Sequence, residues 1–373
     1  MNELATFPLS ETATDPATAQ HAIQTLPVLV LFPHNRCNCR CVMCDIWRIR
    51  QARELTVRDL EPHLASLRAL KVRWVVFSGG EPQMHSDLAA LSRMFRAEGI
   101  RISLLTAGLL LEPHSGSVAE TIDDVIVSLD GPREIHDQIR RVPGAYRRLE
   151  RGVAAVRERR PEVQIRARTT VQKLNHASLR RTVEAAKKLQ LNSISFLAAD
   201  VTSPAFNRSE GWSQDRQNTV ALNSEEVKAL DDEIERLISE LSQEIASGFV
   251  VESAEKLRRI VLHFRAHLGQ CPPVAPRCNA PWVSSVIEAD GTVRPCFFHS
   301  SLGNIHEKPL MEILNGDEAI RFRRQLDIAT DPICQRCVCS LHLEANLEAT
   351  PDSADEVRSF ASDGDRWEQQ QQI

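Results

Sequence analysis

Between residues 45 and 270 the chain has no cysteine, although it carries ten in all. It also lacks a basic excess. The formal net charge is −5 with Lys and Arg scattered among acids, so no positive field draws nucleic acid or an anionic membrane. The amino terminus has neither the basic start nor the apolar stretch of a secretory signal, and no apolar run approaches the ~20 residues of a membrane span. These absences predict a cytoplasmic protein with no nucleic-acid and no membrane partner. No internal repeat is present. What remains, 42% hydrophobic content over 373 residues, supports one large domain of ~200–250 residues and a smaller companion.

A reducing compartment makes clustered cysteines metal ligands or catalysts rather than disulfides. Cys37, Cys39, Cys41 and Cys44 form one group; Cys271, Cys278, Cys296, Cys334, Cys337 and Cys339 form the other. Two separate metal sites are the simplest reading. From residue 27 short apolar runs alternate with amphipathic segments. The strands expected are 28–32, 73–78, 101–106, 124–129, 163–169 and 193–198. Such alternation predicts a parallel α/β sheet, a barrel or a doubly wound sheet, with ligands at the carboxyl ends of the strands. Residues 201–223 are polar and Pro/Gly-punctuated and read as a loop or lid. A helix of about twenty residues is expected next, and the ends, 1–24 and the acidic 346–373, read as disordered.

The spacing Cys37-x3-Cys41-x2-Cys44 follows the first strand. Three thiolates on one loop can hold three irons of a cubane and leave the fourth open; a zinc site using three or four of these thiols is the rival. The context "CNCRCVMC" resembles the signature of the radical S-adenosylmethionine (SAM) superfamily, with Cys39 in place of an apolar residue. "GGEP" (Gly79, Gly80, Glu81, Pro82) ends the second strand and "SLDGPREIHD" ends the fourth, and both resemble further motifs of that family. The resemblance implies a partial (β/α)6 TIM-type barrel over 25–223 and a 4Fe-4S cluster on Cys37, Cys41 and Cys44. It further implies that Gly79–Pro82 hold the SAM amino group, Ser128 lies near the ribose and Met43 near adenine. As a turn, Gly-Gly-x-Pro is ordinary. Thr106, Arg166, Arg168 and Asp200 stand at or near strand ends as catalytic candidates. For the two arginines, pairing with a neighbouring carboxylate is an equal reading, and His85, Asp130 and Asp200 share the ambiguity.

"CNAPWVSSVIEADGTVRPC" joins Cys278 to Cys296 through an Asp290-Gly291 turn, a hairpin signal that brings the two thiols side by side at its open end. Cys334-x2-Cys337 adds a second pair. Composition alone leaves zinc and iron–sulfur open. The pattern resembles the SPASM/Twitch auxiliary-cluster extension, truncated after Cys339. That resemblance implies a small Cys-rich domain (hairpin plus helix) over 271–345, following a helical linker over 224–270. It would hold one auxiliary 4Fe-4S cluster on Cys278, Cys296, Cys334 and Cys337, with Cys271 and Cys339 as alternates and a second auxiliary cluster as the larger variant. His263, His267 and Cys271 recur at four-residue steps on one expected helix face, a core pattern more often than a metal site.

A fully ligated second cluster carries electrons rather than binding substrate. The expected activity is therefore reductive cleavage of SAM to a 5′-deoxyadenosyl radical, hydrogen abstraction from an unactivated carbon, and a net oxidation with the auxiliary cluster taking the electron. An external low-potential donor supplies the first electron. The 36 residues ahead of Cys37 are too few for a fused leader-binding module of ~80–90 residues, which favours a small polar metabolite of sugar or aminocyclitol type. The alternative is a peptide-modifying maturase, for crosslinking, epimerisation or cofactor biosynthesis. The non-enzyme rival, an iron–sulfur sensor or zinc-binding interaction protein, has no need of "GGEP" or "SLDG".

Overall fold

The computed structural model describes residues 21–343, so the expected acidic tail and residues 1–20 lie outside the described residues. Six parallel strands lie in the order β6-β5-β4-β3-β2-β1: β1 (Val28–Leu31), β2 (Trp74–Phe77), β3 (Arg101–Thr106), β4 (Asp124–Ser128), β5 (Gln164–Val171) and β6 (Ser193–Ala198). Each matches an expected strand to within two residues. Helices such as Leu88–Ala97, Leu111–Thr121, Ala145–Arg159 and Leu179–Lys188 cover the outer face. β5 shows why the sheet has two different faces: Ile165, Ala167, Thr169 and Val171 are buried under helices, while Arg166, Arg168 and Thr170 alternate onto the concave side. This is the partial barrel expected.

The carboxyl-terminal hairpin is part of the same sheet. β7 (Ser284–Ile287) runs parallel to β1 in the register Val28↔Ser284. It turns through Asp290-Gly291 into antiparallel β8 (Thr292–Arg294), and β9 (Gly303–Asn304) follows. Gly291 adopts φ +83°, and a Cβ there would meet the His306 ring at 2.6 Å, so the turn requires glycine. At the opposite edge the chain covers β6: Ile194 N donates to Phe249 O at 2.7 Å, and Glu252 accepts from Phe196 N at 2.9 Å.

The concave face is filled from the carboxyl end. Val28, Val30, Trp74, Val76 and Leu105 pack with Leu341 and Leu343. Asn279 clamps that segment, donating from its amide N to Leu341 O and from Nδ2 to Leu343 O, at 2.8 and 2.6 Å. Beside it, Trp74 Nε1 donates to Ser103 Oγ, which donates to Asp124, both at 2.7 Å.

Several boundaries differ from expectation. Residues ahead of 25 already pack in the fold: Ile23 is buried and bonded to Asn315, and Arg323 Nε donates to His21 O at 2.6 Å. Within 201–223 lies a short helix, Gln214–Asn218. The long helix is Ser224–Glu240, started by a capping box between Asn223 and Glu226. Cys271 does not continue the helix of His263 and His267: that helix ends at His267, Gly269 turns at φ +72°, and the Cys271 thiol reaches back to Leu262 O. Among the described residues no helix is long and apolar enough to cross a membrane.

Candidate functional site

Leaving β1, the chain forms the Cys37–Cys44 loop and ties it to the end of the helix Arg133–Arg140, with Arg40 N donating to Arg140 O and Val42 N to Ile139 O at 3.1 and 3.0 Å. Every one of the three spaced sulfurs receives an N–H. Cys39 N donates to Cys37 Sγ at 3.5 Å, Ile46 N to Cys44 Sγ at 3.4 Å, and Arg140 Nη1 to Cys41 Sγ at 3.5 Å. Donors aimed at sulfur stabilise thiolate, the form that ligates metal. Cys41 is drawn below the ordinary thiol range by the Cys39 hydrogen bond first and then by the Arg140 charge, whereas burial pushes Cys44 up to about 12. The fourth thiol, Cys39, is 1% exposed and packed with Ala107, Leu109 and Ala145. The donor set fits a thiolate-bound metal group on Cys37, Cys41 and Cys44.

"GGEP" lies directly against this loop. A Cβ on Gly80 would fall 2.1 Å from Arg36 O, and one on Gly79 (φ +98°) 2.6 Å from the Phe32 ring. Gly80 thus permits backbone against backbone and Gly79 leaves room for the Phe32 ring, with Glu81 N donating to Arg36 O at 2.8 Å. Glu81, expected with its neighbours to hold the SAM amino group, does not face outward. It is fully buried, and its carboxylate accepts from Thr106 Oγ1 and Ala107 N at 2.8 Å each and from Gln83 N at 3.2 Å. Burial still outweighs these donors and raises its pKa. Glu81 anchors the turn; what the turn presents outward is main chain.

The other candidates separate once placed. Thr106 is taken up holding Glu81 and Gln83. Arg166 pairs with buried Asp124 at 3.5 Å, the bland alternative for an arginine on a sheet. Asp200 pairs with Arg208 at 3.0 Å and bonds Ser203. His85 bonds Leu55 O at 2.8 Å and serves the loop packing. Arg168 stands on the concave face, in register with Ser128, its Nε donating to Ser195 Oγ at 3.4 Å. Its charge reaches both Glu252 and Cys339. Met43 packs with Ala199, Val201, Val220 and Trp212.

Residues absent from the sequence reading hold these pieces together. Arg208 Nη2 donates to Met43 O at 2.6 Å, and Trp212 Nε1 to Asp45 Oδ2 at 2.6 Å. The guanidinium carbons of Arg208 and Arg216 lie over the Trp212 ring, 3.8 and 4.4 Å from its centroid. The 201–223 segment is thereby fastened onto the cysteine loop. Glu252 is buried beside Arg168, its pKa raised to about 7 by burial. Asp45 and Arg140 likewise gave no sequence signal, because Trp212 and Cys41, their partners, are remote in the chain.

At the second group, burial pushes Cys296 up to about 11, burial and then Asp331 push Cys334 up to about 12, and burial raises Cys337 and Cys339. Cys278 contributes to each of these rises, so five thiols share one neighbourhood while Cys271 bonds to Leu262 O elsewhere. Thiols that resist ionisation by themselves surrender protons to a soft metal centre, and the set fits one. His299 Nε2 lies 3.4 Å from Cys334 Sγ. A cavity of about 520 Å³ is bounded by Gly79 and Gly80 and by Phe32, Phe206, Phe297 and Phe298, with Arg53, Asp290 and the Glu288–Arg294 ion pair (2.8 Å) on its wall.

Two family models match the chain, one over each cysteine region. The family model described as the radical SAM superfamily matches residues 31–186, and that of an iron–sulfur cluster-binding domain, SPASM, matches 278–338. The Fe-coproporphyrin III synthase of Methanosarcina barkeri is 26% identical over 87% of this chain and 84% of its own. The PqqA peptide cyclase of Ruegeria pomeroyi is 26% identical over 81% and 77%. Among solved structures, anSMEcpe with bound AdoMet superposes with a TM-score of 0.61 at 18% identity, covering 83% of this chain and 86% of that one.

Proposed function

Since the chain belongs to the radical SAM superfamily and carries a SPASM domain at its carboxyl end, we propose that it is a maturase acting on a bulky cofactor precursor rather than on a sugar or aminocyclitol. In this reading Cys37, Cys41 and Cys44 hold the SAM-binding 4Fe-4S cluster, and the main chain of Gly79 and Gly80 accepts from the SAM amino group. Ser128 and Met43 receive the ribose and the adenine. Cys278, Cys296, Cys334 and Cys337 hold the auxiliary cluster, with Cys339 adjoining. Bound there, the cluster and SAM supply a 5′-deoxyadenosyl radical that takes a hydrogen atom from unactivated carbon.

The chain's own residues orient and seclude. The 201–223 segment, pinned through Arg208 and Trp212, closes over the cysteine loop and excludes water from it. A cluster held by the auxiliary thiols would take the electron of a substrate radical, and an external low-potential donor would supply the electron that cleaves SAM. The product is then an oxidised precursor.

The cavity carries the choice of substrate. A cavity of about 520 Å³ whose wall combines four phenylalanines with charged groups, among them Arg53, Glu288, Asp290 and Arg294, suits a large precursor with a flat apolar ring and charged substituents, such as an iron tetrapyrrole; a single polyhydroxylated ring leaves most of that volume unfilled. The relatives named for tetrapyrrole and peptide maturation agree with this class. The test is anaerobic incubation of the reconstituted protein with SAM, reductant and either an iron coproporphyrin, a PqqA-type peptide or an aminocyclitol. Formation of 5′-deoxyadenosine stimulated by the tetrapyrrole or peptide supports the reading, and stimulation by the aminocyclitol alone refutes it.

A further inference from the structure

The three sulfurs of the cysteine loop are not equivalent. Cys37 and Cys44 each take a neutral main-chain N–H, whereas Cys41 takes a guanidinium N–H from Arg140 at 3.5 Å. Arg140 is buried, and its Nε and Nη2 both lie 2.6 Å from Oδ2 of Asp130, which is 0% exposed. Asp130 is fixed in turn: its Oδ1 accepts from Thr170 N at 3.2 Å, and its carbonyl accepts from Asn175 Nδ2 at 2.9 Å. The guanidinium therefore has one face on a carboxylate and one on a sulfur, with no freedom to turn away. Ionised donors make stronger hydrogen bonds than neutral ones, and hydrogen bonds to cluster sulfurs together with nearby charge set the reduction potential.

Resting on the reading that Cys37, Cys41 and Cys44 hold the SAM-binding cluster, we propose that Arg140, braced by Asp130 and acting through Cys41 Sγ, is a positioning residue that raises that cluster's reduction potential. The reduced cluster carries one more negative charge, which the adjacent cation stabilises. Asp130 stands behind the guanidinium, farther from the sulfur, so it weakens this effect without cancelling it. The cluster then accepts its electron more readily from the external donor, while the auxiliary cluster lies outside the reach of the Arg140 hydrogen bond.

The experiment is an anaerobic redox titration of the full reconstituted chain followed by electron paramagnetic resonance, with the SAM-binding cluster identified as the signal that changes on adding SAM. Arg140→Gln is expected to lower its reduced-to-oxidised ratio at a fixed potential at least tenfold, about 59 mV for one electron. The auxiliary signal should stay in place, and Arg140→Lys should recover most of the loss. Because Gln leaves Asp130 buried without its partner, the Arg140→Gln/Asp130→Asn double variant is titrated alongside, with the same direction expected. An unchanged potential at full iron content overturns the proposal. Equal shifts of both clusters, or iron loss in the Gln and Lys variants alike, also overturn it, since Arg140 would then be only a strut. Cys41→Ala tests the ligand reading separately: retention of the SAM-responsive signal there refutes the ligand set, not merely the tuning.

Discussion

Glu252 is the group whose removal should strengthen the protein. Its carboxylate accepts from Phe196 N at 2.9 Å on the edge of β6, and burial lifts its pKa from 4.5 to about 7. At ~1.4 kcal/mol per unit, keeping this carboxylate ionised in the fold costs about 3 kcal/mol relative to the unfolded chain. The sign follows from the raised value: the contribution to stability is complete below about 4.5, where the group is neutral in both states, and is lost as pH rises through about 7. Glu252→Gln keeps the shape and an acceptor for Phe196 N without the charge, and the raised pKa already includes that bond's preference for the ionised form. At pH 8 the variant should therefore be more stable by about 3 kcal/mol. The assay is Tm of the holoenzyme, wild type against variant, across pH 5 to 8, with the gap opening as pH rises. Parallel curves, or a variant less stable at pH 8, would show that Arg168 already compensates the buried charge and would refute the reasoning.

Other outcomes follow from the same geometry. Cys39→Ala should keep full iron content and the SAM-responsive cluster, since Cys39 is a small buried packing residue; Cys41→Ala should lose that cluster, both read by iron analysis and spectroscopy. Gly80→Ala puts a Cβ 2.1 Å from Arg36 O, so the "GGEP" turn must separate from the cysteine loop and 5′-deoxyadenosine formation should fall at least tenfold; retained activity would show that the contact is dispensable. Trp212→Ala removes the bond to Asp45 and the contacts with Arg208 and Arg216. A loss of about 2–3 kcal/mol is expected, with faster proteolysis confined to 201–223.

The strands were legible because each is a short apolar run between turn signals, and the cysteine loop, "GGEP" and the Asp290-Gly291 hairpin were legible because their chemistry lies in contiguous residues. Those local patterns already dictated a parallel α/β sheet, a three-thiol loop and a second thiol-rich region. Long-range packing was not contained in them. A hairpin's residues do not say which edge it joins, and β7 lies on β1 because that strand offered a free parallel edge. Alternation shows that Arg166 and Arg168 share a face but not that Asp124 waits for one of them. A Glu in a Gly-rich turn reads as exposed, yet Glu81 turned inward because Thr106 and Ala107, on another strand's end, supply its hydrogen bonds. Arg140 is 99 residues from Cys41, and only the closure of the sheet brings a helix end against the cysteine loop. Chain-local chemistry thus determined which groups are present and on which elements. Burial and contact across the fold decided which of them are free to react, because those depend on neighbours that sequence order does not supply.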